Sequence, residues 1–216
     1  MRLLAAIVVL FCAFPALAEP DWQTPFRKYV TSTAYLNEVG QQIARLEKRF
    51  APGCTGTLRG MKRMELRLIE QPSFIPGLPI PQGGQWQEQM EIDRCGKPVL
   101  HNVLVTATAG SSPYMTVLLP GTSKANGRLQ VDASSAVFAV AGARAGEGCT
   151  DGARHIVDAR FQRYLGRSAS LPPRDRLWRE IWTVAVCDRT IRVQVDFAPD
   201  GAGSFTHQVD LPETDG

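Results

Sequence analysis

Two stretches of this chain repeat each other without a gap, and that repeat limits the fold more than any other feature. Trp86–Val105 reads W-Q-E-Q-M-E-I-D-R-C-G-K-P-V-L-H-N-V-L-V, and Trp178–Phe197 reads W-R-E-I-W-T-V-A-V-C-D-R-T-I-R-V-Q-V-D-F. Trp86, Glu88 and Cys95 return 92 residues later as Trp178, Glu180 and Cys187. In the second copy Trp178, Trp182, Val184 and Val186 alternate before Cys187, and Ile191, Val193, Val195 and Phe197 alternate after it. A period of two marks strands with one buried face. The chain therefore reads as a strand-rich unit used twice.

The flanking segments complete the unit. Thr33–Phe50 predicts a helix, with Leu36, Val39, Ile43, Leu46 and Phe50 on one face and Ala51-Pro52-Gly53 ending it. A strand is expected from Cys54-Thr55 through Leu66 and Leu68, followed by a Pro- and Gly-rich loop, Gln71–Gln85. Strands at Trp86–Arg94, Val99–Ala107 and Tyr114–Leu119 follow. The second copy repeats this order: a helix at Asp132–Arg144 with Asp132 as N-cap, a strand at Arg154–Arg163, a loop at Tyr164–Leu177, the strands flanking Cys187, and a last strand at Ser204–Leu211. The expected class is α+β, with one helix packed on a four-stranded antiparallel sheet in each unit. The units span 33–120 and 128–216, joined by a linker at 121–127 and preceded by an irregular N-terminal arm at 19–32. Met64, Leu66 and Leu68 share parity with Cys54, whereas Met90 and Ile92 have the opposite parity from Cys95. A bulge or one-residue slip is expected between these strands.

Residues 1–18 carry Arg2, a short apolar run and Ala16-Leu17-Ala18, the pattern of a secretory signal peptide, and no later stretch is apolar enough to span a bilayer. A periplasmic or secreted location is expected. Beyond that segment four cysteines remain, Cys54, Cys95, Cys149 and Cys187, and an even count in an oxidising compartment argues for two disulfides. Three pairings are open; the repeat favours Cys54–Cys95 and Cys149–Cys187.

Chemistry is sparse. None of the cysteines has C-x-x-C spacing, and His101, His155 and His207 lack a partner at metal-ligand spacing. No nucleophile elbow or phosphate-binding loop is present, so no catalytic residue, metal or cofactor is assigned. Glu88 and Glu180 sit on the tryptophan-bearing face, where a lone carboxylate could serve as an acid. Arg59 and Arg154 recur beside them, and cross-strand ion pairs Arg59–Glu88 and Arg154–Glu180 explain the repetition of both residue types. The net charge is +3 with acids interleaved among the arginines, the mark of an ordinary solvated surface rather than of attraction to phosphate or lipopolysaccharide, and no nucleic-acid partner is expected.

The long loops offer a binding surface. Phe74 and Ile75 in the first, and Tyr164, Leu165, Arg174 and Arg176 in the second, are candidate contacts. The string W-x-E-x-W…V-x-x-C…V-x-V-x-F-x-P-D over Trp178–Asp200 is similar to a motif in exported bacterial proteins of no settled function. In architecture the tandem unit resembles the secreted β-lactamase inhibitor protein. That resemblance implies one long concave sheet that grips a protein partner. The expected function is thus an exported, non-catalytic binding or inhibitor-like module that contacts a protein or envelope component through its paired loops and sheet face. The alternatives are an envelope hydrolase with its site between the repeats, using Glu88 or Glu180 with a histidine, and a carrier holding an apolar ligand between helix and sheet.

Overall fold

The computed structural model describes residues 21–51, 53–54, 60–146, 154–187 and 189–212. The expected signal peptide, Arg59 and Cys149 lie outside the described residues. The fold is α+β: two four-stranded antiparallel meanders with helices packed on them. Among the described residues no helix is long and apolar enough to cross a membrane.

The first sheet is covered by two helices, not one. Helix α1 (Gln23–Val30) lies within the segment expected to be irregular. Eight residues are too few to hold a helix alone. It persists because Phe26 and Val30 are buried, at roughly 2 kcal/mol each, and because Asp21 Oδ2 accepts from Thr24 Oγ1 at 2.6 Å. Helix α2 occupies Thr33–Phe50, as its periodicity predicts, and Ser32 caps it by accepting from Tyr35 N. Its buried face is Tyr35, Val39, Ile43 and Glu47, so the stripe is rotated from the expected one and carries a carboxylate inward.

Strands β1 (Lys62–Ser73), β2 (Gly83–Arg94), β3 (Lys97–Ala107) and β4 (Tyr114–Val117) form the first sheet in that order. Trp86, Met90, Ile92, Val103 and Val105 of this sheet pack with Phe26, Val39 and Ile43 into one core. The expected irregularity is present: register shifts fall between Arg63 and Glu65 and again beyond Leu68. Met64, the extra residue at the first shift, is exposed. Because β1 runs on to Ser73, the loop after it is 74–82, shorter than the expected Gln71–Gln85. Arg94 pairs with Lys97, so Cys95-Gly96 is a two-residue hairpin turn with both φ values positive, 51° and 80°. Cys95 is bonded to Cys54 across a Cα separation of 5.4 Å. Cys187, at φ 54° after β6, is likewise a disulfide cysteine.

The second sheet contains β5 (Arg154–Tyr164), β6 (Trp178–Val186), β7 (Arg189–Pro199) and β8 (Phe205–Asp210). Helix α3 (Gly127–Ala145) covers it and begins five residues before the expected Asp132. Asn126 is the N-cap, accepting from Leu129 N at 3.0 Å. Leu129, Ala133, Val137 and Ala141, spaced by four, face Trp182, Val184, Val193 and Val195 in a second core.

Residues 118–122 stitch the sheets together. Leu118 N and Gly121 N donate to Asn102 and Leu100 of β3, while Pro120 and Thr122 bond the backbone of Ala159 in β5. Gly121 has φ 107°, and a Cβ there would lie 2.5 Å from Ala159 O, so the crossing needs glycine. The Gly121–Ala159 bridge is parallel, so β5 follows the direction of β4.

Candidate functional site

Both repeated glutamates are fully buried. Glu88 accepts from Tyr35 Oη at 2.6 Å and from Arg63 Nε at 2.8 Å, and Trp86 Nε1 donates to Tyr35 Oη at 2.9 Å. Arg63 can pair with Glu88 because it lies opposite Met90 and so shares the inner face with Glu88; the expected partner Arg59 lies outside the described residues. Burial, then the Glu88 charge, pushes the Tyr35 phenol far up and keeps it a donor. Tyr35→Phe strands the Trp86 indole N–H and removes a bond to a carboxylate. It is expected to destabilise the protein by about 2 kcal/mol in urea unfolding. A loss under about 0.5 kcal/mol, the range of ordinary surface changes, would remove the phenol from this network.

Glu180 Oε1 accepts from Trp178 Nε1 at 2.8 Å, Lys124 N at 2.7 Å and Ala125 N at 3.3 Å, and Oε2 accepts from Trp182 Nε1 at 2.8 Å. The expected Arg154–Glu180 pair does not form. Arg154 lies opposite Val186 at one end of β6, whereas Glu180 lies opposite Phe161 near the other. The Arg154 guanidinium reaches Phe138 O at 3.4 Å instead.

A third buried carboxylate was not anticipated from the sequence. Glu47 accepts from Arg94 Nε at 2.8 Å and lies 2.8 Å from His101 Nε2. A carboxylate only accepts, so His101 Nε2 carries the proton, and its buried Nδ1 has no partner among the described residues. Burial works to raise the Glu47 pKa, but the bonds from His101 and Arg94 outweigh it and hold the acid at about 2. The signal was present: Glu47 lies four residues beyond Ile43 on the buried stripe.

The open site lies on the other face of the first sheet. Glu65 and Arg67 on β1, Gln87 and Gln89 on β2 and Asn102 on β3 line a cleft of about 610 Å³, closed opposite by 122–126 and the β5–β6 loop. Its floor is hydrogen-bonded: Arg67 Nη2 donates to Gln87 Oε1 at 2.8 Å, Gln89 Nε2 to Asn102 Oδ1 at 3.3 Å and Asn102 Nδ2 to Leu119 O at 2.9 Å. Its far wall is cationic. Lys124 Nζ stands 4.6 Å from the Phe161 ring centre and 5.7 Å from that of Tyr164. Arg176 Nη1 donates to Tyr164 Oη at 3.2 Å and Nε to Leu171 O at 2.7 Å. Arg174 also lines the cleft, its Nε 3.7 Å from Asp175. Partial burial raises the Tyr164 pKa, but the Arg176 bond and the charges of Lys124 and Arg176 outweigh it and set the phenol below its usual 10.0. Subtracting the ultraviolet titration of Tyr164→Phe from that of the native protein should therefore isolate a phenol ionising below 10; a midpoint above 10 contradicts the cationic wall.

Of the candidate contacts, Tyr164, Arg174 and Arg176 meet in this cleft. Leu165 is half-buried behind them, its N–H bonded to Leu177 O. The β5–β6 loop is folded through two short 3-10 helices, Ser168–Ser170 and Pro173–Asp175, around the buried Ser168. Phe74 and Ile75 are elsewhere. Because β5 runs parallel to β4, the β1–β2 and β5–β6 loops leave opposite ends of the stitched sheets. Phe74 packs against the first core and Ile75 is exposed at its own end. The paired-loop surface is thus not formed; one loop and a sheet face meet instead. Arg67, Gln87, Gln89, Asn102 and Lys124 were missed, although the Gln85-x-Gln87-x-Gln89 alternation opposite Trp86-x-Glu88-x-Met90 marks a polar outer face. Neither Glu88 nor Glu180 lines the cleft, and among the described residues no group of three or more His, Cys, Asp or Glu side chains could hold a metal.

Comparison with family models, curated proteins and solved structures finds no match. The likeness to the inhibitor protein therefore rests on the layout of elements alone.

Proposed function

We propose that the chain is an exported, soluble, non-catalytic binding module, built by duplication of a helix-plus-four-strand unit, and that it holds an anionic partner in the cleft between its sheets. The observation that carries this reading is the charge of the cleft: among the described residues Arg67, Lys124, Arg174 and Arg176 line it against Glu65, with Asp175 3.7 Å from Arg174. Arg67 and Arg176 are held by neutral acceptors, so their charges remain available to a ligand. Amide side chains on the floor both donate and accept, which suits a partner bearing hydroxyl or carbonyl groups beside its anion. The partner is accordingly an envelope component or a protein that presents an acidic group. The Cys54–Cys95 disulfide is consistent with an oxidising compartment outside the cytosol.

The test is capture from envelope extract by the oxidised protein, against an Arg174→Glu/Arg176→Glu variant with unchanged circular dichroism. Both side chains lie on a loop outside the two cores, so the variant should fold. Components retained by the native protein and lost by the variant are the expected result. Equal retention by both, or no specific retention, removes the cleft as the binding site.

A further inference from the structure

We infer that the ligand of this cleft is an anionic lipid, with its head group among the arginines and its acyl chain in an apolar groove that continues from the cleft. The inference rests on the cleft being the binding site and names the class of molecule that fills it.

The groove lies between α3 and the outer face of the first sheet, with a volume of about 1160 Å³. Ile69, Leu104, Leu118, Val131 and Phe138 supply its apolar lining. Two of these are among the most exposed large apolar side chains, Ile69 at 47% and Val131 at 71%. Apolar side chains left open beside a polar rim mark a surface that something covers.

What covers it is indicated by what adjoins it. Arg67, Gln87, Lys124 and Asn126 line both the groove and the polar cleft, so the two spaces share one boundary. One side of that boundary offers guanidinium and ammonium groups and amides; the other offers aliphatic and aromatic carbon. A molecule matching both halves is amphiphilic, and its polar end is anionic. The dimensions agree. Along α3 the groove runs from Gly127 to Phe138, about 16 Å at 1.5 Å per residue, which accommodates a single extended acyl chain better than a compact ring system. Arg49, Arg128 and Arg154 also line the groove against Asp132, which lies 3.8 Å from Arg128 Nε, so its edge carries a net positive charge that attracts an anion. A peptide partner would need an apolar run beside an acidic one. A lipid carries both by its chemistry.

The test is titration calorimetry on the oxidised protein with three probes: lysophosphatidylglycerol with a myristoyl chain, below its micelle concentration; lysophosphatidylcholine with the same chain; and glycerol 3-phosphate. The anionic lysolipid is expected to bind at least tenfold more tightly than either comparison. Ile69→Gln/Val131→Gln, at two exposed positions that leave both cores intact, should reduce its affinity to that of glycerol 3-phosphate without changing glycerol 3-phosphate binding. Arg174→Gln/Arg176→Gln should abolish the preference over the choline lipid. If glycerol 3-phosphate binds as tightly as the lysolipid, the chain has no site: the inference falls and the anion cleft stands. If the two lysolipids bind equally, the arginines do not hold the head group, and the cleft reading falls with the inference. Failure of all three probes overturns the lipid assignment, and the envelope-capture comparison then decides the cleft by itself.

Discussion

Glu180→Ala is expected to destabilise the protein by about 5 kcal/mol, from the loss of charge-assisted bonds and the stranding of buried donors. Four N–H groups converge on this carboxylate, and Trp178 and Trp182, which supply two of them, are almost wholly buried. Alanine removes the acceptor of both indoles inside a packed core. The carboxylate also fixes Lys124 and Ala125, the residues that lead into α3 and form one wall of the cleft. The variant should therefore lose cleft binding even under conditions where it remains folded. Glu180→Gln keeps the shape but turns an NH₂ group toward donors, and should cost about half as much. Urea unfolding midpoints read both effects. An alanine variant within about 1 kcal/mol of the native protein would show that these donors are satisfied some other way.

The same residue shows how the sequence could be informative about position and misleading about partner. The 92-residue offset placed Glu88 and Glu180 on inward faces correctly, because strand parity is fixed by backbone geometry. The identity of their donors depended on register and on residues far away in the chain. Tyr35 reaches Glu88 from a helix 53 residues earlier, and the Lys124 N–H reaches Glu180 from 56 residues earlier. No local pattern encodes either contact. Conversely, the parity conflict between Leu66 and Ile92 was legible as a bulge, because a buried set cannot change face without one. Helix α1 was hidden by prolines and by its shortness; it exists through tertiary burial of Phe26 and Val30. Helix α3 was placed late because its apolar face is built largely of alanine, and its cap, Asn126, stood in what read as linker. The cleft was half-visible. Tyr164, Arg174 and Arg176 stood out in a long loop, but the sheet face opposite them could be found only once the direction of β5 relative to β4 was known.

Acid should weaken the first unit through Glu47, and the sign follows from its pKa. The folded-state value, about 2, lies below the ordinary 4.5 of a glutamate. The contribution is therefore fully present above about pH 4.5 and lost as pH falls through about 2, and its size is about 3 kcal/mol at 1.36 kcal/mol per unit. The groups that donate to this carboxylate are the Arg94 guanidinium from β2 and the His101 imidazole from β3. Glu47→Gln removes the titrating group. The variant should be about 3 kcal/mol less stable than the native protein at pH 6, with the gap closing between pH 4.5 and 2 as the native carboxyl protonates. Arg94→Met tests the same cluster from its other side. It leaves a buried carboxylate facing only His101, an expected loss of about 3–5 kcal/mol at neutral pH, and it should raise the pH at which acid unfolding sets in. Stability of native, Glu47→Gln and Arg94→Met proteins, measured by guanidinium unfolding from pH 2 to 7, separates these effects. A gap between the native and Glu47→Gln proteins that stays constant across that range would mean that Glu47 is not the carboxylate whose ionisation holds α2 to the sheet. A closing gap would make the Glu47–Arg94–His101 cluster an acid-sensitive joint of the fold.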